Sequence, residues 1–199
     1  YVLIDRDLDG VDANFVGIND KRAGYLATEH LVSMGCRRIA HIRGQDNSPG
    51  NGRFQGYKDA LLDNNLLFSD NYVVRRSYVD IETTRQGAEA MRLLLELDPK
   101  PDGVFCFNDP LAIGAMSTIL EAGLRIPEDI ALIGCGNLPN NDWLRVPLSS
   151  IDQRSQTVGR RAAELALNLI ESKHMPRTQT TVLEPTLVIR SSTRKREIK

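Results

Sequence analysis

Cysteine is scarce: Cys36, Cys106 and Cys135 are the only ones in 199 residues, and no C-x-x-C spacing occurs. An odd, scattered set provides neither a disulfide framework nor a zinc-ligand pattern, and it points to a reducing compartment. His30, His41 and His174 lie far apart and make no metal-ligand spacing. There is no G-x-S-x-G elbow, no Walker A loop and no H-E-x-x-H helix, and Gly134-Cys-Gly136 lacks the third glycine of a dinucleotide fingerprint. The sequence therefore calls for no metal and no cofactor. Long apolar runs are missing as well. None approaches the ~20 residues of a membrane span, and no secretory apolar segment stands at the start. Charge of one sign is not in excess, since 25 Lys and Arg against 26 Asp and Glu leave −1. That excludes the chain as a whole from being a nucleic-acid-binding surface. Internal repeats and low-complexity segments are absent.

What remains is 41% hydrophobic and 26% charged, enough for one large domain or two small lobes. Tyr1-Val-Leu-Ile-Asp5 reads as the inside of a strand, so we expect material upstream of it. The stretch Gly103–Gly114 sets the pattern for the rest. Val104–Phe107 is a short apolar run, suited to a strand buried on both faces. Asp109 reads as an N-cap and Pro110 as the first helical residue. Ala112, Ala115, Met116, Ile119 and Leu120 form one apolar stripe, and Gly123 closes the helix. The same alternation recurs, with strands at Val2–Ile4, Phe15–Ile18, Arg38–Ile42, Tyr72–Val74, Ile130–Ile133 and around Ile151. Helices are expected after Asn19 or Asp20, from about Gly52, over Thr83–Leu97 and over Ser155–Ser172. Thr181–Ile189 reads as one strand whose Pro185 places it at an edge or a bulge. Gly134–Ser149, which holds the single tryptophan, Trp143, reads as a long irregular segment. Alternating strands and helices predict an α/β fold, a mostly parallel sheet flanked by helices.

In such a sheet, ligands meet the carboxyl ends of the strands. Asp5, the Gly44–Arg53 loop, Asn108-Asp109 and Gln153 all follow predicted strands directly. They offer a carboxylate, a guanidinium fork and two amides. That set suits a neutral or singly charged polyol, sugar or nucleobase-like ligand; a phosphate cradle would carry more glycine and more cation. Each also has a plain structural use. Asp109 can be only a cap, Asn108 a turn residue, Gln153 a strand-end amide, and Asp5 a surface partner of Arg6 or Arg22. His30 falls near an apolar stripe and reads as a packing histidine. Arg53 is expected in a first helical turn, where a cation meets the unfavourable end of the dipole. That placement calls for an anion or hydroxyl. Arg194-Lys195-Arg196 reads as a solvated end.

These residues fall into recognisable stretches. His30-Leu31 through Gly35, Arg37-Arg38-Ile39-Ala40, Ile42 and Gly44 follow an HLxxxGxRxIAxIxG pattern, and Arg53, Gly56 and Tyr57 follow RxxGY. Phe105 with Asn108-Asp109, Ala112 and Gly114 follows FxxNDxxAxG. Gly123 to Gly134 and Leu187 to Thr193 follow a GxxIPxDxAxxG run and a closing LVxRxST. Together they resemble the LacI/GalR family of bacterial transcription regulators along essentially the whole chain. The resemblance implies a periplasmic-binding-protein-like type I effector domain of two hinged lobes, in a cytoplasmic homodimer with Ile113 near the dimer contact. It implies a helix-turn-helix reader of operator DNA that is absent from this chain. It assigns 18–149 with 181–199 to the C-terminal lobe, and 1–17 with 150–180 to a remnant of an incomplete N-terminal lobe. Position by position, Asp5, Arg53, Asn108 and Gln153 match effector-contacting positions. One departure stands out. The family usually carries an aspartate pair where Gly136 and Asn137 stand here, so an acceptor for ligand hydroxyls is gone.

The expected activity is sensing of a small polar effector (a sugar, a sugar derivative or a nucleobase-like molecule), coupled by linkage to DNA affinity. A periplasmic solute-binding protein of a transporter shares the fold and is the first rival. An α/β enzyme is the second, but no base or nucleophile is evident near Asn108. With part of a lobe absent, ligand binding by these residues alone is expected to be weak, with apolar surface exposed.

Overall fold

The structure, a computed structural model, describes residues 1–8, 10–75, 83–172 and 177–194. His174 and the tail after Arg194 lie outside these residues. Two sheets organise the chain. β1 (Val2–Ile4), β2 (Asn14–Ile18) and β8 (Thr180–Leu183) form a parallel sheet in the order β1-β2-β8. The larger sheet has the order β4-β3-β5-β6-β7-β9, built from β4 (Val73–Arg75), β3 (Ile39–Arg43), β5 (Gly103–Cys106), β6 (Ala131–Cys135), β7 (Ser149–Asp152) and β9 (Thr186–Val188). All its pairings are parallel except β7 with β9.

Side chains alternate across a strand, so the central strands feed two cores. Phe105 and Ile133 join Ala27, Leu31, Tyr57 and Leu61 from α1 (Asp20–Ser33) and α2 (Ser48–Asp63). Val104, Cys106 and Leu132 join Met91, Leu94, Ala115 and Ile119 from α3 (Thr83–Leu95) and α4 (Asp109–Glu121) on the other face. Helices on both faces explain why β5 and β6 read as continuous apolar runs. The first core continues into the small sheet through Val16, where α5 (Ser155–Glu171) brings Val158, Ala162 and Leu165. Among the described residues, no helix is long and apolar enough to cross a membrane.

Several boundaries differ from expectation, each for a local reason. α2 begins at Ser48, not near Gly52: the Asn47 side chain accepts from the Gly50 N–H and Pro49 occupies the first turn, so a stretch that reads as polar loop is helix. Asn108, not Asp109, caps α4, accepting from the Leu111 N–H at 2.9 Å. The strand expected over Thr181–Ile189 is two strands in different sheets, because Pro185 has no N–H to continue a ladder. Ser150–Asp152 pair within the larger sheet and Thr181–Leu183 within the smaller, so the chain crosses between sheets at other points than 149/150 and 180/181. The Gly134–Ser149 segment is partly ordered, with β6 running to Cys135 and a 3-10 turn over Pro139–Trp143.

The closing motif is structural. Ser192 Oγ donates to the Leu132 carbonyl at 2.6 Å, and Thr193 Oγ1 meets both Ser149 Oγ and His30 Nε2. His30 is thus a buried, partnered histidine. Arg190 fastens the loop before β7, pairing with Asp142 and donating to the Leu148 carbonyl and Asn137 Oδ1.

Candidate functional site

Because nearly every strand is parallel, the loops after β1, β2, β3, β5, β6 and β7 gather at the strands' carboxyl ends. Arg53 lies at the centre. It is 2% exposed and sits in the second turn of α2, so the helix dipole bears on it less than expected. The anion that its placement calls for is supplied by the protein. Nε donates to Asp20 Oδ1 at 2.8 Å, Nη1 donates to the Phe107 carbonyl at 2.8 Å, and the guanidinium stacks over the Phe107 ring at 4.4 Å. Nη2 has no partner among the described residues. Burial works against the charge, but Cys135, Asp20 and Asp5 around it outweigh burial, and the pKa lies above the ordinary arginine value. Burial pushes the Asp20 carboxyl above its usual range, with Arg53 pulling the other way.

Gln153 reaches this group through Cys135, its Nε2 donating to Sγ at 3.2 Å. Burial raises the Cys135 pKa, against the opposing pull of the Arg53 guanidinium and the Gln153 hydrogen bond. Asp5 closes β1 with φ of +66°, its N–H donating to the Val16 carbonyl, near enough to act electrostatically on both Arg53 and Asp20. Arg53, Asp5 and Gln153 therefore share neighbours. Asn108 stands one residue past the carbonyl that Arg53 holds, and its side chain lines a neighbouring recess with Arg43 and Asn47.

Four residues escape the sequence reading. Asp20 and Phe107 hold Arg53, and Cys135 connects it to Gln153. Arg43 ends β3 over the Phe54 ring at 4.4 Å, donating to Asp46 at 2.8 Å and to Asn51. Their one signal is position, since each lies at or just after a strand end. Asp109 belongs to the frame rather than the site. It is fully buried and accepts from Ser150 Oγ, the Leu138 N–H and Asn141 Nδ2, which fixes the loop after β6. Among the described residues, no group of three or more His, Cys, Asp or Glu side chains could hold a metal ion.

The sequence profile of the periplasmic binding protein-like domain matches residues 28–193. The chain belongs to that family, in its LacI/GalR branch. It is 33% identical over 195 residues to an HTH-type transcriptional repressor PurR of Aliivibrio salmonicida, covering 98% of this chain and 57% of the relative. The chain thus spans little more than half the length of that repressor. The solved transcriptional regulator CelR–cellobiose complex shares 31% identity with a TM-score of 0.89, over 96% of this chain and 58% of that one. A LacI-family regulatory protein from Chloroflexus aggregans shares 32% with a TM-score of 0.86, over 96% of this chain and 67% of that one. These LacI/GalR relatives are transcriptional regulators, which favours the regulator over the transporter component and the enzyme.

Proposed function

We propose that this LacI/GalR-type domain senses a small polar effector for a cytoplasmic transcriptional regulator, binding it non-covalently where Asp5, Arg53, Asn108 and Gln153 approach one another. The observation that carries this is Arg53: a buried guanidinium, oriented by Asp20 and the Phe107 carbonyl, that keeps an N–H edge unused. Orienting a donor fork by fixed partners is what a specific site requires. The two sheets are the two lobes, and an effector that favours one closure state shifts their equilibrium. A homodimer would carry that shift to a DNA-reading domain outside these 199 residues. No step of bond making is involved.

Titration calorimetry with cellobiose, other neutral sugars and free nucleobases tests the site. Arg53→Lys keeps a cation beside Asp20 and removes the fork. It should weaken binding by about tenfold or more with an unchanged circular dichroism spectrum, and Gln153→Ala should weaken it less. Undiminished affinity in Arg53→Lys would remove Arg53 from the site.

A further inference from the structure

At the opposite end of the larger sheet from Arg53, a groove of about 460 Å³ opens among the segments that lead into β6 and β7. Its volume is that of a small-molecule site. Leu120, Leu124, Ile126, Pro127, Val146 and Pro147 give it apolar walls. Hydrogen bonds of the backbone fix these walls in advance. The Leu124 N–H donates to the Ile119 carbonyl, the Asp129 N–H to the Arg125 carbonyl and the Ser192 N–H to the Pro147 carbonyl.

Charge is spread unevenly around the groove. β7 and β9 run antiparallel with Ser150 opposite Val188, and the Ser192–Pro147 bond carries that pairing past the strand ends. Arg145 and Arg194 are thereby brought to one side of the groove, where Ser191 adds a hydroxyl. Both guanidiniums are exposed, and neither has a hydrogen-bond or ion-pair partner among the described residues. On the other side, Arg125 is already held by both oxygens of Asp129, at 2.9 and 3.0 Å. Glu128 is the one carboxylate of the described lining, and its charge acts on Arg125. Two like charges therefore stand together with no acid to offset them. A carboxylate between them relieves their repulsion through charge-assisted hydrogen bonds, and an apolar body attached to it covers the walls.

We infer that this groove is a second ligand site, separate from the effector site, that takes an organic acid with a compact apolar body. The carboxylate lies between Arg145 and Arg194, and the body lies on Leu120, Leu124 and Val146.

Amide chemical-shift titrations by NMR compare benzoate with benzyl alcohol, octanoate with octan-1-ol, and both acids with acetate. At least one acid should bind about tenfold or more tighter than its alcohol and than acetate, with shifts centred on Leu124, Val146 and Ser191. In Arg145→Gln and in Arg194→Gln, at exposed positions where folding is not at stake, the acid-to-alcohol ratio should fall toward one. Alcohols binding as tightly as their acids would overturn the charge pairing. Acetate binding as tightly as either acid would reduce the site to an adventitious ion contact and overturn the inference. Shifts centred on Arg53 and Gln153, a ratio unmoved in both variants, or binding by no member of the panel would overturn it as well. The groove and Arg53 report through separate signals, so failure here leaves the effector reading standing.

Discussion

His41 decides how this protein meets acid. Its Nδ1 donates to the Phe105 carbonyl at 2.9 Å, its ring stacks on Phe105 at 4.6 Å and Tyr57 at 5.2 Å, and its Nε2 is buried without a partner. Burial holds its pKa down at about 3, against about 6.5 in an unfolded chain. The neutral ring's contribution is therefore complete above pH ~6.5 and is lost as pH falls toward 3, because only the unfolded state takes up the proton. At about 1.4 kcal/mol per pH unit, His41 accounts for a loss of about 2 kcal/mol by pH 5. Urea unfolding of the native protein and His41→Phe at both pH values should show a shallower acid loss in the variant; parallel losses would refute the assignment. Gly136 makes a second residue-scale case. Its φ of +135° disfavours any side chain, and a Cβ there would stand 3.2 Å from Asp109 Oδ2. Restoring the family's aspartate by Gly136→Asp should cost about 1–3 kcal/mol, a fall of roughly 3–10 °C in Tm by calorimetry. The sequence exposes the substitution at Gly136 but not its backbone cause. It likewise presents Asn108 and Asp109 as neighbouring polar residues, and only burial reveals that the first caps the helix and the second anchors a loop.

Helix crossings give the motif glycines their reason. A Cβ on Gly56 would lie 1.9 Å from the Lys21 carbonyl oxygen, and one on Gly114 would lie 1.8 Å from that of Thr84. α1 and α2, and likewise α3 and α4, therefore touch backbone to backbone. Arg53 stands on α2 one turn before Gly56, and its partner Asp20 stands on α1. Gly56→Ala must spread the two helices and pull that ion pair apart, at a cost of about 2–3 kcal/mol or more, with weakened effector binding. Gly159→Ala on α5 is the control. Nothing lies within 4 Å of a Cβ there, so stability should rise by about 0.5–1 kcal/mol. Denaturant midpoints of the two variants moving in the same direction would contradict this account. Element type is readable from periodicity where both faces are covered, because that leaves apolar runs in β5 and β6. Helix starts rich in Ser, Pro and Gly are not, because the cap that decides them is a single hydrogen bond, as at Asn47.

Across the whole molecule, the chain passes between the sheets after Ile18, after Asp152 and at Glu184-Pro185. Two of these crossings are tied together, since Asn19 Nδ2 donates to Glu184 Oε1 at 3.1 Å and the Asn19 N–H donates to the Leu183 carbonyl. Motions between the sheets must work through these segments, and any transfer of that motion outward needs a rigid surface to act on. Trp143 offers one. It is 88% exposed, yet its 3-10 turn is held from beneath by Asn141 on Asp109 and from the side by Asp142 on Arg190. A large apolar ring fixed at the surface is the kind of residue that dominates protein interfaces. If the proposed homodimer forms and makes its contact here, Trp143→Glu should shift the protein from dimer to monomer in size-exclusion chromatography with light scattering. The anchors lie on other side chains, so the helical circular dichroism should not change. A dimer that survives Trp143→Glu at micromolar concentration would place the subunit contact elsewhere on the molecule.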